Sequence, residues 1–224
     1  MTIFFTKHKI DELTIKLSRD EILRKSRILI IDDERPELID DLEKARFTVD
    51  YVSDISKDNL DAIERHPYNL VILDFGGVGS SFGGEQGLSI LRHIKRVHPS
   101  VVVLAYTSKA LTTEHADFFR LADGVLLKDL GIGESMEKIE DALIKAHDIK
   151  NLWKGLLYAA GVEASSKQDF DLQDGFVRGI DKPKKWNTIR SKFSTSLDSE
   201  IGKKAALVVF EKLCELVVKS AIGG

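Results

Sequence analysis

The sequence predicts an α/β protein in which a doubly wound, five-stranded parallel sheet is followed by an α-helical C-terminal region. Between Arg27 and His147, short apolar segments alternate five times with segments of helical periodicity. Most of the short segments are apolar at consecutive positions, which indicates strands covered by helices on both faces. Right-handed crossovers between such strands build an open sheet that binds ligands at the carboxyl ends of its strands.

The strands and helices of this sheet are predicted in order along the chain. The strands are expected at Arg27–Ile31, Phe47–Val52, Asn69–Phe75, Val101–Thr107 and Val125–Leu127. The helices are expected from Pro36 to about Ala45, at Asp58–His66, Leu88–Val97 and Leu111–Leu121, and from near Glu134 onward. Pro36 suits a first helical turn, and Pro67 ends the second helix because proline cannot continue a helix. A helix-like stretch, Asp11–Lys25, precedes the first strand.

The C-terminal third is predicted to be helical with one long interruption. Apolar residues from Met136 to Ala160 recur at spacings of three and four, which is close to a heptad pattern. Two interpretations stay open: the last helix of the sheet domain runs on to about Ala160, or the stretch is an ordinary amphipathic helix packed on its own chain. Residues 162–186 are polar and contain Gly and Pro, which predicts a loop. Ser196–Ser199 are expected to cap a final, largely apolar helix to about Ser220.

Composition narrows the class of protein. The 224 residues are 43% hydrophobic and 31% charged, which is typical of globular domains. The apolar runs are too short for a membrane span, and the N-terminus lacks a signal-peptide pattern. Cys214 is the only cysteine, which excludes an internal disulfide and fits a reducing compartment. We therefore predict a cytoplasmic protein without membrane contact.

Five polar residues fall at the predicted carboxyl ends of strands. Asp32 and Asp33 follow the first strand, Asp74 ends the third, Thr107 ends the fourth, and Lys128 follows the fifth. Taken singly, each is ordinary: an aspartate after a strand is usually a helix cap, and a lysine there is usually a surface residue. Together they are expected at one rim of the sheet, where their chemistry is complementary.

This set of residues fits phosphoryl transfer to a carboxylate. Three neighbouring carboxylates repel one another unless a cation is present, and oxygen ligands with open water positions suit Mg²⁺. The central carboxylate, Asp74, is then a plausible nucleophile that forms an aspartyl phosphate. The transferred group spreads its charge over three oxygens, which Mg²⁺, the Thr107 hydroxyl and the Lys128 ammonium can each bind.

The segment from Arg27 to His147 resembles the receiver domains of response regulators. The resemblance is carried by RILIIDDE, by VILDF, by the ungapped segment GLSILRHIKRVHPSVVVLAYTS and by ADGVLLKD. It implies a flavodoxin-like fold with strand order 2-1-3-4-5 and a two-component phosphorelay protein. Asp74 is then the phosphoacceptor, and Thr107 and Lys128 hold the phosphoryl group. The implied Mg²⁺ ligands are Asp33, Asp74 and the backbone carbonyl of Gly76, with Asp32 acting mainly through water.

The resemblance also implies how such a protein is used. Its partner is a histidine kinase or a phosphotransfer protein, and it is not an enzyme beyond accepting its own phosphoryl group and, at most, removing it. The implied organisation is an N-terminal extension (1–26), a receiver domain (27–149) and a helical C-terminal region (150–224) that signals through protein–protein contacts.

Three departures from the family pattern concern the output. The loop from Asp74 to Gly87 is about five residues longer than usual for the family. The family often has an aromatic residue three positions before the lysine, where this chain has Val125. Asp129 follows the lysine where a proline is usual. The phosphorylation chemistry is therefore expected to be intact, whereas the usual relay to the output surface is in question.

The sequence also contains weaker signals for other functions. The glycine-rich loop lacks the Lys-Ser/Thr of a phosphate-binding P-loop, and the six histidines lack zinc-ligand spacing. Residues 150–224 carry a net charge of +4 and include the basic run Lys182–Lys185 beside Trp186, so a DNA-binding regulator is one alternative. A standalone phosphate sink and a degenerate receiver that acts as a scaffold are two others. A homodimer along the C-terminal helices is a further expectation, because a small helical segment gains little stability alone.

Overall fold

The structure is a computed structural model that describes residues 10, 13, 17–56, 63, 68–108, 115–197 and 199–222. The chain divides into two compact units. The sheet unit comprises residues 17–95 and 101–147, and the helical unit comprises residues 148–224 together with 1–16 and 96–100. Each unit has its own core and is described by itself.

The sheet unit contains one parallel sheet of five strands in the order β2-β1-β3-β4-β5. The strands are β1 (Arg27–Ile31), β2 (Thr48–Val52), β3 (Leu70–Asp74), β4 (Val102–Thr107) and β5 (Gly124–Leu127). All four pairings are parallel. The doubly wound fold and the strand order predicted from the sequence are confirmed.

The sheet forms the centre of the hydrophobic core because its strands are apolar. Ile28, Ile30, Leu70 and Ile72 are fully buried, and they belong to a cluster that helices on one face of the sheet complete. Strands buried on both faces read as continuous apolar runs because neither face meets water. The apolar runs that predicted the strands therefore also predict that the strands lie at the centre of the unit.

Most helices of the sheet unit lie close to the predicted positions, but the stretch predicted at Asp11–Lys25 is helical only at Arg19–Lys25 among its described residues. They are α1 (Arg19–Lys25), α2 (Leu38–Lys44), α3 (Gly87–Val97, whose last two residues belong to the other unit), α4 (Ala116–Leu121) and α5 (Ile132–Ala146). At the start of α1, the Ser18 hydroxyl accepts a hydrogen bond from the Glu21 N–H while the Glu21 carboxylate accepts from the Ser18 N–H, a capping box. The helix predicted at Asp58–His66 and the first four residues of the one predicted from Leu111 lie outside the described residues, apart from Ile63.

Of the two interpretations left open for Met136 to Ala160, the one in which a single helix continues to about Ala160 is wrong. Helix α5 ends at Ala146, and a separate helix, α6, spans Ile149–Ala160. The break lies at Asp148, whose carboxylate accepts hydrogen bonds from the N–H groups of Lys150 and Asn151 at 2.9 and 3.0 Å. This is an N-cap, which starts a new helix in a sequence whose apolar spacing alone reads as continuous.

The prediction of a loop at residues 162–186 is also wrong. Most of it forms α7 (Lys167–Asp181), which is followed by a short 3₁₀ turn, Pro183–Lys185, and by α8 (Trp186–Ser196). The Ser166 hydroxyl caps α7 by accepting a hydrogen bond from the Asp169 N–H at 3.1 Å. Few residues of α7 are apolar, so composition suggests a loop, but Phe176 and Val177 are buried and hold the helix in the unit.

The final helix, α9, spans Glu200–Ile222, close to the predicted extent. Ser199 lies at its start and accepts a hydrogen bond from the Gly202 N–H at 3.3 Å. The helix buries its apolar residues against the rest of the helical unit, where Phe210 contacts the rings of Phe176 and Phe193. Cys214 is a buried free cysteine, as expected for a small apolar residue. Among the described residues, no helix is both long and apolar enough to cross a membrane.

Candidate functional site

The five predicted site residues lie at the carboxyl edge of the sheet for a topological reason. Parallel strands end at the same edge, so residues that end or directly follow neighbouring strands lie together. Asp74, the last residue of β3, pairs in register with Tyr106, and Thr107 pairs with Leu127, the residue before Lys128. The sheet therefore brings the ends of β1, β3, β4 and β5 to one rim, as predicted.

Asp32 forms the buried floor of the site. Its backbone is fixed by two hydrogen bonds: its N–H donates to the Val52 carbonyl at 3.3 Å, and the Tyr51 hydroxyl donates to its carbonyl oxygen at 3.0 Å. Carboxylate oxygen Oδ1 accepts a hydrogen bond from the Glu34 N–H at 3.0 Å. The other oxygen, Oδ2, pairs with the Lys128 ammonium at 2.7 Å. The buried charge of Asp32 is therefore compensated by a lysine.

The Lys128 ammonium lies between two aspartates. Its nitrogen is 2.7 Å from Asp32 Oδ2 and 3.6 Å from Asp74 Oδ2. Burial lowers the pKa of this ammonium, but the contact with Asp32 and the charge of Asp74 outweigh burial, so the pKa is raised overall. Lys128 is therefore a fixed positive charge at the rim.

Asp74 is the carboxylate whose pKa departs most clearly from its usual range. Burial raises the pKa from 3.8 to about 6; the charge of Lys128 opposes that rise, and the charges of Asp32 and Asp33 add to it. Its side chain is 13% exposed, against 1% for Asp32, so Asp74 is the more accessible of the two. A carboxylate that is partly open and destabilised as an anion gains from reacting with an electrophile or from binding a cation.

The three carboxylates fit a divalent cation. One oxygen each from Asp32, Asp33 and Asp74 can be chosen so that all three lie within 4.8 Å of one another. An all-oxygen donor set is what Mg²⁺ binds, usually with several waters retained. The predicted ligation by Gly76 stays a prediction.

The long loop after Asp74 is shaped by its glycines. Gly77 has a φ of +71°, and a β-carbon there would overlap the Asp33 carboxylate. Further along, Val78 is fully buried, and the Gly79 N–H donates a hydrogen bond to the Asp54 carboxylate. The Gly87 N–H donates to the Phe75 carbonyl at 3.2 Å, which returns the loop to the end of β3. The loop is thus anchored at several points next to the site.

Thr107 is buried at the end of β4, and its carbonyl accepts a hydrogen bond from the Lys128 N–H at 2.8 Å. Its role as a phosphoryl ligand stays a prediction.

Two aromatic neighbours of the site were not predicted from the sequence. The ring of Tyr106 lies under Lys128, with the ammonium 5.0 Å from the ring centroid. The ring of Phe75, the residue after Asp74, lies 3.9 Å from that of His115. The sequence signal that could have pointed to them is adjacency: Tyr106 directly precedes Thr107, and Phe75 directly follows Asp74.

No family model matches the sequence, and a search of curated proteins gives no match. Several solved structures similar to this chain are response-regulator receivers. A two-component response regulator from Clostridium difficile is 20% identical, with a TM-score of 0.46, and the match covers 53% of this chain and 96% of that one. The receiver domain of NtrX from Brucella abortus is 24% identical, with a TM-score of 0.45 and coverages of 52% and 97%. The response regulator TrrA from Thermotoga maritima, solved in complex with Mg²⁺-BeF, is 23% identical, with a TM-score of 0.44 and coverages of 52% and 98%.

Proposed function

We propose that the sheet unit is the receiver of a two-component response regulator and accepts a phosphoryl group on Asp74. The observation that carries this proposal is the position of the Lys128 ammonium between Asp32 and Asp74, at 2.7 and 3.6 Å. It places a fixed cation beside an accessible carboxylate whose pKa is raised to about 6 by burial. That arrangement suits a nucleophile that must meet and then hold an anionic group.

The donor in this proposal is a phosphohistidine on a histidine kinase or a phosphotransfer protein. An Asp74 carboxylate oxygen attacks phosphorus, a P–N bond of the donor breaks, and its electron pair returns to the imidazole, which takes up a proton. An O–P bond to Asp74 forms in the same step, and the phosphoryl oxygens keep their negative charge. Lys128, already close to Asp74, then binds one of these oxygens, and Thr107 binds another.

Mg²⁺ is part of the proposal because its ligands are present. Asp32, Asp33 and Asp74 supply the carboxylate oxygens, and Gly76 is proposed to supply its carbonyl. When bound, the ion neutralises carboxylate charge and offers a coordination position to a phosphoryl oxygen. The residues of the chain do the rest: Asp32 is held by its backbone hydrogen bonds, and Lys128 is held by Asp32.

The test is incubation of the full chain with a small phosphodonor, followed by intact-mass measurement. We expect the addition of one phosphate mass in the presence of Mg²⁺, no addition when EDTA removes the metal, and no addition in Asp74→Asn. Asp129→Asn, which changes an exposed aspartate next to Lys128, is the matched control and should label normally. Labelling that persists in Asp74→Asn, or that does not need a divalent metal, would contradict the assignment.

The helical unit is proposed to carry the output through protein–protein contacts. The DNA-binding alternative rested on a basic run beside Trp186, but that ring is buried, stacked 5.6 Å from the ring of Phe176, and its Nε1 donates a hydrogen bond to the Phe176 carbonyl. Trp186 therefore supports the unit's core and is not available to stack on a base. A phosphorylated chain that captures a helical or receptor-like protein only in the presence of phosphodonor would support the proposed output.

A further inference from the structure

Tyr106 is the residue on the floor of the site that the proposed reaction does not use. It lies on β4 directly before Thr107, is 7% exposed, and belongs to the same buried cluster as Leu38 and Ile139. Its ring also lines a cavity of about 370 Å³ formed with residues at the starts of α2 and α5. A simple structural role, filling the core, would account for its burial alone.

The contact with Lys128 is what a core-filling role does not explain. The ammonium nitrogen lies 5.0 Å from the centroid of the Tyr106 ring, while it is 2.7 Å from Asp32 Oδ2 and 3.6 Å from Asp74 Oδ2. A cation at this distance from an aromatic ring is attracted by the negative face of the ring. Three attractive features, two carboxylates and one ring, therefore converge on a single ammonium group.

A lysine needs such restraints because its side chain is long and flexible. Four rotatable bonds join the Lys128 ammonium to the backbone, and the side chain is 29% exposed, so the group could otherwise turn toward water. Asp32 is the nearer of the two carboxylates, so it draws the ammonium toward the buried floor more strongly than Asp74 draws it toward the rim. The ring fixes a second direction, so that the ammonium stays within reach of the reacting carboxylate.

We propose that Tyr106 is a positioning residue for Lys128, and that its ring holds the ammonium beside Asp74 through a cation–π contact. This inference rests on the proposed phosphoacceptor function and deepens it. The aromatic residue that contacts the functional lysine then lies on β4. At the corresponding place on β5 the chain has Val125, which pairs in register with Ala105, one position before Tyr106. The ring that contacts the lysine is thus supplied by β4, the strand that pairs with β5.

The first experiment measures the contact without phosphodonor or metal. The ε-methylene protons of Lys128 should be shifted upfield by the Tyr106 ring relative to those of exposed lysines. Tyr106→Phe, which keeps the ring face, should preserve that shift, and Tyr106→Leu should abolish it. An unchanged Lys128 resonance in folded Tyr106→Leu overturns the proposed contact.

The second experiment varies the ring's electrostatics while nearly preserving its size. Phenylalanine and its mono-, di- and trifluorinated forms are placed at position 106, since fluorine progressively weakens the negative face of the ring. We expect the concentration of beryllofluoride needed to half-saturate the chain with Mg²⁺ to rise stepwise, by roughly 3- to 10-fold over the series. The same series at Phe47, a ring buried in the same cluster, should leave it unchanged.

The outcomes separate the two proposals. A wild-type chain that neither binds beryllofluoride nor accepts phosphate overturns the proposed function, and with it the role of Tyr106, whatever the lysine resonance shows. A responsive wild type with a flat fluorine series at position 106 overturns only the positioning role and leaves Tyr106 as a core residue. A trend of equal size at Phe47 also overturns it, because the effect would then come from core packing.

Discussion

At the scale of the residue, the site is an arrangement of buried charges in which each member depends on another. Asp32 is 1% exposed and is paired with Lys128 at 2.7 Å, and Asp74 lies 3.6 Å from the same ammonium. Burying an ion costs several kcal/mol and pairing does not always repay that cost, so the site holds its charges in place at the expense of stability. Removing single members of the set should reveal that cost.

Asp74→Asn should stabilise the metal-free protein at neutral pH. The folded-state pKa of Asp74 is raised to about 6 from 3.8, so the folded chain holds that proton more tightly than the unfolded chain. The contribution of Asp74 to stability is therefore full below pH 3.8 and is lost as the pH rises through about 6. A rise of this size corresponds to about 3 kcal/mol, which solvent screening reduces to about 1–2 kcal/mol.

Urea unfolding in EDTA measures this effect. The gain of Asp74→Asn over wild type should be about 1–2 kcal/mol at pH 7.5 and should vanish near pH 4. Asp129→Asn, at an exposed position, should show no such pH-dependent gain. A gain that is equal at both pH values would mean that the substitution acts through packing and not through the charge of Asp74.

Lys128→Ala should have the opposite effect. It leaves Asp32 buried without its cation, and removing one partner of a buried pair typically destabilises a protein by about 3–5 kcal/mol; partial exposure of Lys128 lowers our expectation to about 2–4 kcal/mol. Mg²⁺ should restore part of that loss, because a divalent ion can replace the missing charge. The variant should still accept phosphate but fail to pass the signal. Lys138→Ala, on an exposed face of α5, is the control. If Lys128→Ala took up as little phosphate as Asp74→Asn, the lysine would have a role in phosphoryl transfer itself.

At the scale of the element, glycines decide where side chains and backbone can approach each other. Gly77→Ala should disturb the site, since its φ of +71° is unfavourable for alanine and its β-carbon would overlap the Asp33 carboxylate. We expect a loss of about 1–3 kcal/mol in unfolding free energy and weaker Mg²⁺ binding. Gly84→Ala in the same loop has open space around its β-carbon and an ordinary φ, so it is the matched control. Equal Mg²⁺ affinity in both variants would contradict the role of Gly77.

A second pair of glycines lies inside helices and should respond in opposite directions. Gly133 in α5 has open space around its β-carbon, so Gly133→Ala should stabilise the protein by up to about 1 kcal/mol through helix propensity. Gly179 in α7 is covered by the Trp186 ring, and a β-carbon there would overlap the indole. Gly179→Ala should therefore destabilise the helical unit in thermal unfolding, and a stabilising effect would show that Trp186 is free to move.

In the helical unit, hydrogen bonds to one buried carboxylate hold two helices together. Asp169 accepts hydrogen bonds from the Trp153 Nε1 and the Gln173 Nε2, both at 2.9 Å. These contacts satisfy a buried carboxylate and fix α6 against α7 within the unit. They explain why residues with the composition of a loop form a helix here.

At the scale of the whole molecule, the two units have separate cores and separate tasks in the proposed function. The apolar residues of α9 are largely buried within the helical unit, which removes the need for a second chain to cover them. Ile201 and Val208 are among the apolar side chains that stay exposed on α9, so the homodimer remains a prediction that now depends on this smaller surface. Light scattering of the full chain with and without beryllofluoride checks it. A monomer at high micromolar concentration in both states would end the dimer hypothesis.

The sequence by itself determined the parallel sheet and the rim residues, because parallel strands read as apolar runs and their carboxyl ends lie at one edge. The strand order was implied by the resemblance to receiver domains. The sequence could not determine the break at Asp148 or the existence of α7, since a single capping side chain and a few buried contacts override spacing and composition there. Nor could it place Tyr106 under Lys128, because a residue's neighbours across a sheet depend on strand register. The tertiary structure also decided the electrostatics of the rim: burial raises the pKa of Asp74, and burial is a property that only the folded chain possesses.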